Sequence, residues 1–391
     1  VEERVNVLLV TSPPVGPIPF FVGEKRPPLG LWSLAASLRQ AGHYVGFQDL
    51  YTKDEPLAPV SRFDAVGIYA NTVCFRGTLR VLDELLARRK AGWRGKVLVG
   101  GPHASVLPET VPEWVDCVVQ GEGEVAALAA LEGRCARVYR AARIRDLDLL
   151  PRPAYDLVSR YQYNLAFQGV LGGIAPVFTM NTSRGCPRAC TFCSVGSIWG
   201  RTYTRQSAGR VLDDVAWLAK DFGARGIYFR EDEFTMDKAR LHAFCQGMLA
   251  RRLSLPWMCE SRVDALTDPA VVDMMAGAGC RGLYVGVESG SDRMLSEVFD
   301  KGITAAQVRL AFANARRAGI KTCASFVKGT GYETAEDERA TAALAAEIRP
   351  DVVWHNQFTG IPYSPLYRRL LRDGRVARVD DLGLAYPKVC P

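Results

Sequence analysis

The chain has 391 residues, 48% apolar and 23% charged, an ordinary globular balance with length for two or three cores. Its net charge of +7 comes from scattered arginines rather than a basic run, which argues against a nucleic-acid partner. No apolar run reaches transmembrane length, no signal-peptide pattern opens the chain, and most of the eleven cysteines are isolated in apolar surroundings, so a cytoplasmic protein with reduced thiols and no membrane partner is expected.

Residues 1–145 read as a doubly wound α/β domain. Strands are predicted at Val5–Thr11, Tyr44–Gln48, Ala65–Tyr69, Lys96–Gly100 and Asp116–Gln120. Helical periodicity runs over Leu29–Gln40, 76–91 and 124–132. Apolar strands alternating with helices imply a parallel sheet, and ligands of such sheets sit beyond the carboxyl ends of the strands. The loops there are Asn71-Thr72-Val73, Gly100-Gly101-Pro102-His103 and Gly121-Glu122-Gly123-Glu124. Each alone is an ordinary turn. Together with Pro27-Pro28-Leu29-Gly30 they resemble the cobalamin-binding domain fused to many radical enzymes. That resemblance implies corrin contacts from Asn71, Thr72, Gly100, Gly101, Gly121, Glu122 and Gly123. Domains that ligate cobalt through histidine carry Asp-x-His-x-x-Gly after the first strand, whereas this loop is Thr11-Ser-Pro-Pro-Val-Gly16. Histidine-off binding, or a domain that kept the fold and lost the corrin, are the two alternatives. His103 is the one histidine in these loops, either a turn or surface residue or a corrin contact.

A connector is expected over 146–175, punctuated by Leu149-Leu-Pro-Arg-Pro-Ala154 and by glycines at 169–173. Six βα-type strands follow, at 176–182, 226–230, 256–260, 282–287, 320–326 and 352–358. Helices lie near 207–221, 236–251, 268–277, 304–317 and 334–347. This second domain spans 176–367, with a short basic tail at 368–391.

The first of these strands leads into Arg184-Gly-Cys186-Pro-Arg-Ala-Cys190-Thr-Phe192-Cys193. Three thiolates in one glycine- and proline-bent loop suit three corners of a 4Fe–4S cluster and leave the fourth iron open. A zinc site would need a fourth protein ligand, and Cys245 and His242 lack the spacing. Three incidental buried cysteines are the structural alternative. Cys-x-x-x-Cys-x-x-Cys with Phe192 before the last cysteine resembles the radical S-adenosylmethionine (SAM) superfamily. The resemblance implies a partial (βα)6 barrel whose strand ends carry the chemistry. It also implies that the open iron chelates the amino and carboxylate groups of SAM. One electron, from an external flavodoxin- or ferredoxin-type donor, then yields a 5′-deoxyadenosyl radical that takes hydrogen from a small-molecule substrate.

The strand ends supply candidates. Arg230-Glu231-Asp232-Glu233 follows the second strand, and Glu231 and Asp232 are assigned to the SAM amino group. A helix-dipole role for this acidic run is compatible with that. Arg262 is the candidate clamp for the methionine carboxylate, with Ser261 second; pairing with Asp264 at the surface is the alternative. Gly286-Val-Glu288-Ser289-Gly-Ser291 matches a Gly-x-Glu-Ser-Gly-Ser signature of the resembling enzymes, which assigns Glu288 and Ser289 to the cofactor. Ser291 and Asp292 read as caps. Gly329 and Gly331 would form an adenine-binding turn, with Lys328 where an apolar residue is usual. On the sixth strand, His355 and Gln357 share one face and are the substrate candidates, with Asn356 on the other face.

The expected function is cobalamin-dependent radical methylation of an unactivated carbon in a small metabolite of secondary metabolism. Two alternatives stand beside it. One is a cobalamin-free radical dehydratase or rearrangement enzyme, similar to an aminoglycoside diol dehydratase. The other is a non-catalytic cobalamin or iron–sulfur binding module.

Overall fold

The computed structural model describes residues 4–15, 25–163, 173–380 and 383–388. Gly16, the glycine-rich stretch 169–172 and the tail end 389–391, with Cys390, lie outside the described residues. The chain divides into two compact units, Val1–Asn164 and Leu165–Pro391.

Unit 1 contains strands β1 (Asn6–Thr11), β2 (Tyr44–Asp49), β3 (Ala65–Tyr69), β4 (Lys96–Gly100), β5 (Cys117–Gln120) and β6 (Val138–Arg140). They form one parallel sheet in the order β2-β1-β3-β4-β5-β6. The apolar runs become fully covered central strands; Leu9, Val10, Ala65, Val66, Val97 and Val99 are buried. Helices α1 (Leu29–Gln40), α2 (Phe75–Lys90), α3 (Pro102–Val106) and α4 (Gly123–Leu131) follow β1, β3, β4 and β5 in the chain. The strand order reverses between β1 and β3, and the loops at that point are tied together. The Ser12 hydroxyl donates to the Tyr69 carbonyl (2.9 Å) and is shared with Thr78 (2.6 Å). Two elements differ from the expectation. The Gly101–Ser105 loop winds into α3 after Gly101, with Pro102 at its first position, where the missing N–H costs nothing. The three-residue β6 is too short and too exposed to leave an apolar pattern.

Unit 2 is a parallel sheet whose strands follow one another in sequence. They are β7 (Val177–Met180), β10 (Gly226–Phe229), β11 (Trp257–Arg262), β12 (Cys280–Glu288), β13 (Lys321–Lys328) and β14 (Val352–Gln357), and the sheet curls into a half-barrel. Between β7 and β10 lie the two-residue strands β8 (Ser183–Arg184) and β9 (Thr204–Arg205), paired antiparallel, and the short helix α5 (Val195–Trp199). Helices α6 (Ala208–Phe222), α7 (Lys238–Ala250), α8 (Pro269–Gly277), α9 (Ala305–Arg317) and α10 (Ala335–Ile348) connect the strands. Their limits follow capping chemistry. Ser207 caps α6 and Gly223 ends it in a left-handed conformation; Thr304 with Gln307 and Thr334 with Asp337 form capping boxes.

Register fixes which side chains face the helices. Phe229 stacks on Phe234 at 4.2 Å and meets Phe244 and Trp257 edge-on at 5.3 and 5.9 Å. These rings are buried and contribute roughly 2–3 kcal/mol each. The opposite, inner face carries Tyr228, Met258, Glu260, Tyr284, Ser325 and, by alternation, Trp354 and Asn356. The expected basic tail is structured. Helix α11 (Pro365–Arg372) and an antiparallel hairpin of β15 (Val376–Val379) and β16 (Ala385–Pro387) close this end of the unit.

Candidate functional site

The three-cysteine loop is pinned at several points by other elements of unit 2. Gly185, at φ +82°, donates its N–H to Asp232 (2.9 Å) just before Cys186. Thr191 donates its N–H to the Phe299 carbonyl (2.9 Å) and its hydroxyl to that of Val298 (2.5 Å), and its own carbonyl accepts from Leu366 of α11 (2.9 Å). Phe192 meets Phe299 edge-on at 5.2 Å, and the Lys301 ammonium lies 5.7 Å from the Phe192 ring centre. Cys186, Cys190 and Cys193 are all half-buried. Burial pushes the Cys193 thiol up to about 12, with Cys190, Asp232 and Cys186 adding to the shift. The Arg262 guanidinium donates to Cys190 Sγ at 3.6 Å. Among the described residues no three His, Cys, Asp or Glu side chains converge as ligands of one ion would. Cluster ligands need not converge, because each binds a different iron. Cys245 is buried on α7 next to Cys280, so it does not complete a zinc set with the loop. The donor set fits three corners of a 4Fe–4S cluster.

The acids after β10 separate into three roles. Glu231 is a buried clasp rather than a free amine ligand, which corrects the expectation. It accepts from the Thr182 N–H and hydroxyl (2.9 Å), and from the Ser183 N–H (2.9 Å) and hydroxyl (2.8 Å), with Arg240 at 3.7 Å. Asp232 is engaged with Gly185 as described. Glu233, the acid of this run left without an assignment, is buried, and its Oε2 has no hydrogen-bond partner among the described residues. Its Oε1 accepts from Thr235 (2.7 Å), and the Thr235 hydroxyl is shared with Ser261 (2.8 Å). Burial raises the Glu233 carboxyl. Ser261 is therefore occupied in this chain of contacts.

Arg262 is buried rather than at the surface. It does pair with Asp264 (2.9 Å), and it also donates to the Lys301 carbonyl (2.5 Å) and to Cys190. Three of a guanidinium's five N–H are thus engaged, leaving two for a carboxylate. Glu288, at φ +69°, forms a buried ion pair with Lys301 at 2.6 Å. Ser289 is turned away to Thr341 (3.1 Å) and accepts from the Ser291 N–H (3.1 Å), so its hydroxyl serves the turn. A Cβ on Gly290 would run into the Ala340 carbonyl oxygen and lie 2.7 Å from Thr341 Cα, so this glycine serves helix packing. As expected, Ser291 and Asp292 cap, accepting from the Met294 and Ala305 N–H. Gly329 and Gly331 sit at φ +73° and +79° in a turn held by Glu333, which accepts from the Thr330 N–H (2.9 Å). His355 and Gln357 point the other way from the expected substrate side. His355 packs toward the buried, helix-facing Phe326 (5.7 Å), and Gln357 lies against Gly329, where a Cβ would strike its amide. Asn356 takes the inner face, donating to Ser325 (2.8 Å).

In unit 1 the strand-end loops are largely self-satisfied. Asn71 accepts from the Cys74 N–H (2.8 Å). Glu122 turns inward to Arg143 (2.8 Å) and to the Ile144 N–H, so its carboxylate does not face a ligand. A Cβ on Gly101 (φ +104°) would lie 2.7 Å from the Ala70 carbonyl oxygen, which explains that glycine locally. Gly121 donates to Ser105 (3.0 Å), and the nearest atom to an added Cβ there is 3.8 Å away. Gly100 and Gly123 are likewise uncrowded, with nearest atoms at 3.6 and 3.8 Å. His103 is neither a surface residue nor a ligand. It is fully buried, stacked on Phe75 at 3.7 Å, and hydrogen-bonded to Thr72 (3.3 Å) and Thr110 (2.9 Å); burial lowers its pKa to about 4. His43 accepts from the Val5 N–H (3.3 Å). The rim thus offers backbone and small groups without an imidazole, which fits a corrin bound histidine-off.

The family model of the radical SAM superfamily matches residues 180–345, and that of the B12 binding domain matches 22–131. The uncharacterized methyltransferase PH0819 of Pyrococcus horikoshii is 31% identical over 92% of this chain and 81% of that protein. The chain belongs to the radical SAM superfamily. It is a radical SAM enzyme whose two domains are those of a 4Fe–4S cluster with SAM and of cobalamin. The anaerobic magnesium-protoporphyrin IX monomethyl ester cyclase of Cereibacter sphaeroides is 27% identical over 88% of the chain and 60% of that protein. Among solved structures, the cobalamin-dependent SAM radical enzyme OxsB superposes with a TM-score of 0.80 at 18% identity, over 99% of this chain and 65% of that one. The radical SAM methyltransferase TsrM of Kitasatospora setae gives 0.72 at 20% identity, over 96% and 77%. The fold is therefore shared with both, and the chain spans about two thirds of the length of OxsB and less of the cyclase.

Proposed function

We propose that this radical SAM enzyme transfers a methyl group to an unactivated carbon of a small metabolite and uses cobalamin to do so. The observation that carries the reading is the pairing, in one chain, of the three-thiol loop with a B12-type domain whose strand-end rim presents no imidazole. The relatives named as methyltransferases support it. When bound, the cluster supplies the electron that opens SAM to the 5′-deoxyadenosyl radical, and cobalamin supplies the methyl group.

The chain's own residues do the positioning. Cys186, Cys190 and Cys193 hold three irons. Asp232 fixes the bend at Gly185 that starts the loop. Oε2 of Glu233, buried and unpartnered, accepts the ammonium of the SAM methionine. The two remaining N–H of Arg262 take its carboxylate, while a third N–H rests on Cys190 Sγ. The Glu288–Lys301 pair braces the wall beside Phe192. The left-handed turn of Gly329 and Gly331 borders the adenine. In unit 1, backbone at Gly100, Gly121 and Gly123, with Asn71 and Thr72, carries the corrin.

A second reading, radical dehydration or rearrangement without cobalamin, draws on the internal engagement of Glu122, Asn71 and Thr72. Anaerobic reconstitution with hydroxocobalamin separates the two. The first reading predicts about one corrin per chain in the visible spectrum after desalting. A protein that shows only the iron–sulfur absorption, with no corrin bands, and still cleaves SAM would establish the second.

A further inference from the structure

The inner face of the half-barrel carries a row of polar groups that the cluster and SAM do not use. Tyr228 on β10 donates its hydroxyl to Oε1 of Glu260 on β11 at 3.0 Å. Arg230 reaches the same oxygen at 4.0 Å. Among the described residues no hydrogen bond is made to the other oxygen, Oε2. The side chain is 29% exposed, so this oxygen is presented rather than sealed. Next in register, Tyr284 on β12 lies on the same face as Ser325 on β13 and Asn356 on β14. Asn356 donates to Ser325 at 2.8 Å, which leaves the row ordered by its own contacts. The surroundings are apolar. Val177, Tyr228 and Met258 pack together below it, and Trp354, 49% exposed, stands on the same face two residues before Asn356.

An acid in such a place has a cost unless it meets a donor. The Tyr228 hydroxyl donates to Oε1 and not to Oε2. Burial pushes the Glu260 carboxyl up to about 7, with Arg230 and Tyr228 opposing the shift and Asp232 and Glu231 adding to it. A flat wall at one end and a fixed acceptor at the other define a ligand with a ring or carbon frame and one donor group.

We propose that substrate binds on this inner face and offers a hydrogen-bond donor, an ammonium or a hydroxyl, to Oε2 of Glu260. Glu260 is then a specificity-determining residue. Tyr228 positions it, and Tyr284 with Asn356 orders the adjoining wall. Purely apolar and anionic compounds are disfavoured by the same carboxylate. The proposal deepens the radical SAM reading given above and rests on it.

Two probes test it on the reconstituted full chain. Benzylamine carries an ammonium on a flat ring; benzyl methyl ether has the ring without a donor. Ligand-observed NMR titration should give tighter binding of the amine to the parent protein. Glu260→Gln should weaken the amine tenfold or more and leave the ether unchanged. Glu260→Asp, which keeps the charge, should recover part of the preference. Iron content and melting temperature check that each variant is folded. Equal amine affinity in parent and Glu260→Gln, or no preference for the amine in the parent, overturns the assignment. Separately, the parent is reduced in the presence of SAM. Absence of 5′-deoxyadenosine there would overturn the reading beneath the proposal, whatever the probes do.

Discussion

Glu231→Gln and Glu233→Gln, two positions apart, should have opposite phenotypes. Glu231 accepts four hydrogen bonds from Thr182 and Ser183 and faces the buried Arg240 at 3.7 Å. An amide keeps the shape and loses the charge. Bonds to a charged acceptor contribute roughly 1.5–3 kcal/mol against about 0.5–1.5 for neutral ones, and a buried cation losing its partner costs roughly 3–5 kcal/mol. These terms overlap, so about 3–5 kcal/mol is the expected total. At roughly 2–4 °C per kcal/mol for a unit of this size, the transition of unit 2 should fall by about 6–20 °C. SAM affinity of the folded fraction should hold. Glu233→Gln should barely move the melt, because the lost oxygen has no partner and burial already disfavours its charge. It should weaken SAM by roughly 10–150-fold, the equivalent of about 1.5–3 kcal/mol for one charge-assisted bond. Differential scanning calorimetry and titration calorimetry on iron-loaded protein read both effects. A Glu231→Gln protein with an unchanged melt and lost SAM affinity would refute the division of roles.

Arg262→Ala should lower both iron retention and SAM affinity, since the guanidinium touches Cys190 as well as the carboxylate position; full iron content by colorimetric assay would contradict the thiolate contact. Gly290→Ala should destabilise unit 2 by about 1–3 kcal/mol in a denaturant melt and leave SAM affinity intact, because the added Cβ meets α10 backbone rather than ligand. His103 has a folded pKa of about 4 against 6.5 unfolded, so the unfolded chain binds the extra proton between those values. Its contribution is full above pH 6.5 and falls by up to about 3 kcal/mol as pH drops to 4. The difference between parent and His103→Gln stability should show that slope, and its absence in urea melts at pH 4.5 and 7 would count against a buried neutral imidazole.

The architecture was legible because its signals are local. Apolar runs at 96–100 and 282–287, and helices bounded by Ser207 with Gly223 or by Thr304, reappear within a residue or two. The cysteine loop was legible because its ligands are near neighbours in sequence. The assignments that changed depend on tertiary partners. Nothing in Glu231-Asp232-Glu233 tells which carboxylate the preceding Thr182 and Ser183 will claim. Lys301 lies thirteen residues from Glu288 with no spacing rule to join them. The face of β14 follows from register against β13, and the exposed strand lacks the alternation that would have turned His355 outward and Asn356 inward on inspection. His103 looked like a loop residue because a five-residue helix leaves no period to read.

In the proposed reaction SAM would be used twice, once as the source of the 5′-deoxyadenosyl radical and once to restore the methyl group that cobalamin gives up. The direct measurement is a product count from the cobalamin-reconstituted, chemically reduced protein given methyl-labelled SAM under anaerobic conditions. The account predicts both 5′-deoxyadenosine, from reductive cleavage, and S-adenosylhomocysteine, from methyl transfer. Both should vanish in Cys190→Ala if the two uses share the cluster site. 5′-Deoxyadenosine without S-adenosylhomocysteine in a corrin-loaded sample would contradict methyl transfer.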